Sequence, residues 1–242
     1  MEDRLRKVVG AIRSLDERWS AKAWNHLARQ ARPIGSLGRL EELAVRLVTI
    51  QQSLEPHLDR RVVLVMAGDH GVADEGVSAF QQEVTRQMVA NFIEGGASIN
   101  ALAEGVGAKV FVVDMGVAAD LDSHADLIDK KVAQGTRNFT KEPAMSHEET
   151  VRALLGGIEV FEEVRERSGI DILLTGDMGI ANTTPSSAIC AAVTGCPVAE
   201  VVGRGTGVDD VGLQRKIAAV ERALELHRPD PHDPLDVLAK IG

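Results

Sequence analysis

The sequence predicts an α/β fold: a Rossmann-like parallel sheet flanked by helices, with a small helical lobe built from the N-terminal region. Three observations predict it. Val62–Met66 and Lys109–Val113 are continuous, largely β-branched apolar runs, as expected of strands buried on both faces. These runs, and a third at Ile172–Leu174, stop in polar clusters that carry glycine: AGDHG, DMG and GDMG. Helical stretches lie between them, the alternation that builds a parallel sheet.

The chain of 242 residues is long enough for one full α/β domain beside a smaller lobe. We divide it into a helical lobe over residues 1–60 and a nucleotide-binding α/β domain over 61–242. With 44% hydrophobic residues it is globular. A net charge of −9 argues against a nucleic-acid surface but leaves room for a small anionic ligand. The two cysteines, Cys190 and Cys196, match no zinc spacing and read as buried small hydrophobes in a cytoplasmic protein. The charged start has no signal-peptide core, and no apolar run is long enough to span a membrane.

Residues 1–31 read as helical, with Leu5, Val8, Val9 and Ile12 on one face and Trp19, Trp24 and Leu27 continuing it. After the RPIGSLG break, Leu40, Leu43, Ala44, Leu47 and Ile50 form the apolar stripe of a second helix. The first strand ends in Asp69-His70, and a helix follows from about Glu83 to Ile93. Residues 118–145 show no period and read as loops. Ser146-His147-Glu148-Glu149 is a capping box, opening a helix that Gly169 closes. Val198–Val202 reads as a further strand, again leading through a glycine turn into a helix. Leu235–Ile241 begins a last helix.

Two turns stand out. In GDMGIANTTP, Thr184 reads as a helix cap with Pro185 in the first turn, and a helix N-terminus attracts anions. Three roles are open to Asp177: a base, a partner for a ribose hydroxyl, or an acceptor for the turn's own amides. In GRGTG, alternating glycines let the backbone approach a ligand, yet the spacing is neither a Walker loop nor the dinucleotide fingerprint. A phosphate there needs Lys216 or Arg204 on the same side. Thr206 and Asp209 read as the cap of the next helix. No metal-ligand spacing is present, so a hydrolase using Asp69, His70, Asp114 and Asp177 is the weaker reading.

Taken in order, RPIGSLGRLEELA, AGDHGVADEGVSAFQQEVTRQMVANFIEGGASINALA, VVDMGV, GDMGIANTTPSSAI and VGRGTGVDD resemble the nicotinate-nucleotide–dimethylbenzimidazole phosphoribosyltransferase family, from about Arg32 onward. The resemblance implies transfer of phosphoribose from nicotinate mononucleotide to a benzimidazole in cobalamin lower-ligand synthesis, with no metal or redox cofactor and a homodimer. By position, Gly203, Arg204, Gly205, Thr206, Gly207 and Lys216 are expected at the 5′-phosphate. Gly176, Met178, Gly179, Asn182 and Thr183 are expected along the nucleotide, and Asp69, His70, Phe80 and Met88 around the flat base. Asp177 stands where some members carry glutamate and is the candidate base. The resemblance implies that family members continue past Gly242 with a glutamate-bearing segment that supplies the main base. The expectation is therefore little turnover by these 242 residues alone, with a catalytically inactive nucleotide-binding or assembly module as the alternative.

Overall fold

The computed structural model describes residues 1–242. It opens with α1 (Glu2–Ala11), α2 (Glu17–Ala28) and α3 (Arg39–Gln51). Then come β1 (Arg61–Gly68), a 3-10 turn (Gly71–Glu75), α4 (Glu83–Ile93), α5 (Ser98–Gly105), β2 (Ala108–Gly116) and β3 (Leu127–Asp129). The remainder is α6 (His147–Ser168), β4 (Ile172–Met178), α7 (Thr183–Thr194), α8 (Val198–Val201), α9 (Asp210–His227) and α10 (Pro234–Ile241).

The four strands run parallel in the order β3-β2-β1-β4. Alternate residues of the apolar runs serve opposite faces. Val62, Leu64, Phe111 and Val113 pack on Val160 and Val164 of α6. On the other face Val63 and Val65 meet Ala103 of α5, and Val112 meets Val89 of α4. Continuous apolar sequence follows from helices covering both faces. After β1 the chain builds β2 and β3 on one side, then returns to add β4 on the other. Such a reversal opens a crevice at the carboxyl ends of the strands on either side of the switch, here β1 and the edge strand β4.

Capping explains where α6 lies. The Glu149 amide donates to Ser146 Oγ at 3.1 Å, and the Ser146 amide donates back to the Glu149 carboxylate at 2.6 Å. Gly169, at φ +68°, ends the helix in a left-handed conformation suited to glycine. The largest apolar cluster lies away from the sheet. It joins Ala188 of α7, Val220 and Ala223 of α9, and Val237 and Ile241 of α10 with Val72 and Phe139.

Several expectations are corrected. Val198–Val202 is not a strand: Val198–Val201 form one helical turn, with Pro197 before it, and only Val202 is extended. Pro197 sits just outside the turn as its N-cap, and Val202 gains burial in the α7–α9 layer without strand pairing. The 118–145 stretch contains β3, three residues long and too short to carry a period. Cys190 and Cys196 are exposed, free thiols. The inward face of α7 is Thr184, Ser187, Ala188 and Ala191, which leaves Cys190 on the outer side.

The first sixty residues make two packing units. Helix α1 lies on α6, with Arg4 bridging Glu159 at 2.6 Å and Glu162 at 3.1 Å, while α2 and α3 pair around Ala23, Val45 and Val48. The expected α3 stripe faces the wrong way. Leu40, Leu43 and Ile50 point outward, and Glu41, Val45, Val48 and Thr49 point inward. The cause is Glu41, whose carboxylate accepts from the Leu37 amide and the Arg32 guanidinium and so draws its own face of the helix in.

Candidate functional site

The crevice predicted by strand order is a cavity of about 220 Å³ at the ends of β1, β2 and β4. Four of its walls are methionines: Met66, Met115, Met145 and Met178. Asp69, His70, Asp177 and Asn182 supply polar atoms, and Arg137 and Glu149 pair at one side with Nη2–Oε2 at 2.8 Å. An apolar slot with few polar groups suits a flat organic ring, and methionine adapts to its outline.

Backbone ties hold β1 to the strap that closes the cavity. Thr136 donates its amide to Asp69 O at 3.0 Å, and Gly71 donates to Thr136 O at 3.1 Å. A Cβ on Gly71 would sit 2.6 Å from both Thr136 O and Asn138 N, so glycine is required. Gly179 is tighter still, since a Cβ there would lie 2.0 Å from Gly68 O. Its turn also forces Ala181 to φ +73°, a left-handed conformation that a non-glycine residue adopts only under constraint.

Burial works against charge at the β1 end of the cavity, while the Arg137 guanidinium holds Glu149 ionised at the other side, down to about 2. Burial pushes the His70 imidazole down to about 4, with Asp177 opposing the shift, so His70 is neutral at pH 7. Burial raises Asp69, although Oδ2 accepts from the Ala118 amide at 2.9 Å. Asp114 is spoken for by the amides of Gly116 and Val117 and by Lys131 at 3.2 Å. Asp69, His70, Asp114 and Asp177 do not gather three donors where one cation could be held. Asp177 is exposed at the cavity mouth, its carboxylate held by the Asn182 amide group.

The two glycine turns meet. Lys216 is only 1% exposed, and its ammonium donates to Thr183 Oγ1. A Cβ on Gly205 would lie 2.7 Å from Thr183 Oγ1 and 2.8 Å from Lys216 Nζ, so turn, hydroxyl and ammonium share one spot. Lys216 has no carboxylate partner within ion-pair distance, and burial lowers its pKa. A buried ammonium without a counter-ion, beneath exposed backbone at Gly203–Gly207, has the chemistry to receive an anion. Arg204 does not join it: its guanidinium pairs with Asp210 and donates to Val208 O at 3.0 Å.

Capping at both turns differs from expectation. Thr184 does not cap α7. The helix begins at Thr183 after Asn182, and Thr184 Oγ1 is buried without a partner. At α9 the cap is Asp209, accepting from the Gly212 amide at 2.7 Å, which leaves Thr206 free for other contacts.

Of the predicted residues, Asp69, His70, Asp177, Met178 and Asn182 line the cavity. Gly176 lies within β4 opposite Val65, Gly179 shapes the turn beside the cavity, and Thr183, Gly205 and Lys216 come together next to it. Phe80 and Met88 do not line the cavity. Phe80, 56% exposed, sits on a segment held against Thr206, and Met88 lies half-buried on α4. Sequence reasoning missed Met66, Met115, Met145, Thr136 and Arg137. The available signal was Gly135-Thr136-Arg137 inside an aperiodic stretch, which marks a turn but not what it covers.

Comparison with known proteins shows the family. A family model described as phosphoribosyltransferase matches residues 12–242. The nicotinate-nucleotide–dimethylbenzimidazole phosphoribosyltransferase of Chloroflexus aggregans is 55% identical over 238 residues, covering 98% of this chain and 67% of that protein. The chain belongs to this family. The enzyme of the same name from Chloroflexus aurantiacus is 53% identical over 240 residues, covering 99% of this chain and 68% of its own. Among solved structures, CobT from Thermus thermophilus superposes with a TM-score of 0.87 at 47% identity, covering 93% of this chain and 67% of CobT. The parallel sheet with flanking helices is thus the fold of the family.

Proposed function

We propose that this chain transfers phosphoribose from nicotinate mononucleotide to 5,6-dimethylbenzimidazole or a related azole, giving α-ribazole 5′-phosphate and nicotinate in cobalamin lower-ligand synthesis. The observation that carries the reading is the meeting of Thr183, Gly205 and Lys216 beside a methionine-walled slot, in a chain of this family. The 5′-phosphate takes the Gly203–Gly207 amides and the Lys216 ammonium, and the rings lie toward the β1–β4 crevice.

The chemistry asks little of the protein. The C1′–nitrogen bond of nicotinate mononucleotide breaks with its electron pair returning to the ring nitrogen, so no acid is needed. An azole nitrogen forms the new bond from the opposite face, inverting C1′, and the azole N–H proton passes to a carboxylate. Asp177, exposed at the mouth and steered by Asn182, is our candidate for that carboxylate. Holding both rings in line with C1′ supplies much of the acceleration.

Two finer points belong to the same reading. We assign the outward apolar face of the α2–α3 pair, which includes Trp24, Leu40, Leu43 and Ile50, to a homodimer contact. Two free surface thiols suit a cytoplasmic protein, and no helix is long and apolar enough to cross a membrane. The function is tested by calorimetry with nicotinate mononucleotide and by assay for α-ribazole 5′-phosphate with the azole added. Binding that survives Lys216→Met unchanged would remove the cradle from the account, and absence of nucleotide binding would remove the function.

A further inference from the structure

The Gly203–Gly207 turn touches more than the cradle. Thr206 Oγ1 lies 3.1 Å from Ser78 Oγ and accepts the Ala79 amide at 3.1 Å, while the Phe80 amide donates to Ser78 Oγ at 3.3 Å. One threonine side chain therefore joins the anion-binding turn to the Ser78–Phe80 segment, 128 residues away in sequence. Both partners are otherwise loosely held. Gly203–Gly207 is exposed throughout, with Gly205 at φ +53° and Gly207 at φ +95°, and Ala79 and Phe80 are exposed.

The elements behind these segments are fixed. Arg222 of α9 pairs with Glu75 at 3.1 Å, and Glu75 also accepts from Asn138 and Thr140. Gly76 follows, at φ +65°, with the Arg215 guanidinium 3.1 Å from where its Cβ would stand. The chain is thus anchored as far as Gly76 and Val77, a core residue, and α4 begins at Glu83. Between those anchors, Thr206 is the long-range hydrogen-bond partner of Ser78 and Ala79.

We propose that Thr206 is a positioning residue that couples anion occupancy of the Gly203–Gly207 turn to the placement of Ser78–Phe80. The inference rests on the phosphate cradle proposed above and adds a role for the threonine side chain. An anion bound to the backbone amides and Lys216 immobilises the turn. The Thr206 hydroxyl passes that order to the Ala79 amide and, through Ser78, to Phe80. The nucleotide then organises an aromatic side chain at the edge of the site before the second substrate arrives. Coupling of this kind is reciprocal, so ordering Ser78–Phe80 also tightens nucleotide binding.

Hydrogen exchange on the full chain, with and without nicotinate mononucleotide, tests it. In the parent, nucleotide slows exchange at residues 203–207 and also at Ala79 and Phe80. In Thr206→Val, protection at 203–207 remains, and protection at Ala79 and Phe80 falls about three- to tenfold, the range of one net hydrogen bond. Thr206→Ser restores it, and Ser78→Ala removes the Phe80 part alone. Unchanged exchange in β1 shows that each variant is folded. Equal protection of Ala79 and Phe80 in Thr206→Val overturns the coupling, as does protection confined to 203–207 in the parent. No protection at 203–207 in the parent overturns the cradle itself, and the coupling with it.

Discussion

The crevice at the ends of β1 and β4 and the cradle at Gly203–Lys216 are neighbours built on opposite principles. The crevice is braced by close backbone contacts, and burial in it works against charge on His70. Backbone meets backbone at Gly71 and Gly179, His70 is held uncharged, and Asp114 is fully engaged. The cradle is exposed and leaves its charge unmatched, with Lys216 buried beneath it and Arg204 drawn off by Asp210. The first arrangement suits an uncharged planar ring and the second an anion. A nucleotide with an aromatic base presents both, as the function proposed above requires of two sites that adjoin at Asn182-Thr183.

That contrast can be broken in stages. The largest effect is expected in the turn beside the crevice. Gly179→Ala puts a methyl 2.0 Å from Gly68 O, a backbone atom that cannot swing away, and is expected to cost about 3 kcal/mol or more of stability by chemical denaturation. Gly205→Ala meets only side-chain ends, at 2.7 Å and 2.8 Å, and at φ +53° it is expected to cost about 1 kcal/mol. Equal losses would erase the distinction between rigid and adaptable sites.

Acid sharpens the same difference. His70 titrates at about 4 in the folded chain against 6.5 unfolded. The unfolded state therefore binds the proton first, and stability from this group is complete above pH 6.5 and lost as pH falls toward 4. The loss amounts to about 3 kcal/mol at most, at about 1.36 kcal/mol per pH unit. Denaturation of His70→Asn at about pH 7 and about pH 4.5 should show a shallower fall than the parent; parallel falls would mean that His70 is not held neutral.

Lys216→Met reverses the sign between stability and binding. Removing an uncompensated buried charge should leave stability unchanged or raise it, while nicotinate mononucleotide binding weakens roughly ten- to a hundredfold, about 1.4 to 2.8 kcal/mol. A variant that loses stability and keeps its affinity would show that the lysine is structural. The smallest effect is at Arg204. Its pair with Asp210 is exposed, so Arg204→Ala should change stability by less than about 0.5 kcal/mol, and binding far less than the lysine variant does.

Much of this was readable in the chain. Val62–Met66 and Lys109–Val113 could only be buried strands, and Ser146 with Glu149 marked the start of α6, because these signals are local. The resemblance likewise pointed to Gly205 and Lys216 for one role and to Asn182 for another, and the structure brings Thr183, Gly205 and Lys216 together. Local signals failed where a distant contact decided the outcome. Val198–Val202 had strand composition but found its burial in a helical layer, and the α3 stripe turned outward because Glu41 needed Arg32.

The sequence by itself determined the class of fold, the strand ends that carry chemistry, and the glycines that such turns demand. Only the tertiary structure decided which charges stay unpaired. Lys216 is left without an acid and Arg204 is not, while Thr206 turns from its own helix to Ser78. Each outcome depends on distances between segments far apart in the chain, and spacing along the chain does not encode those distances.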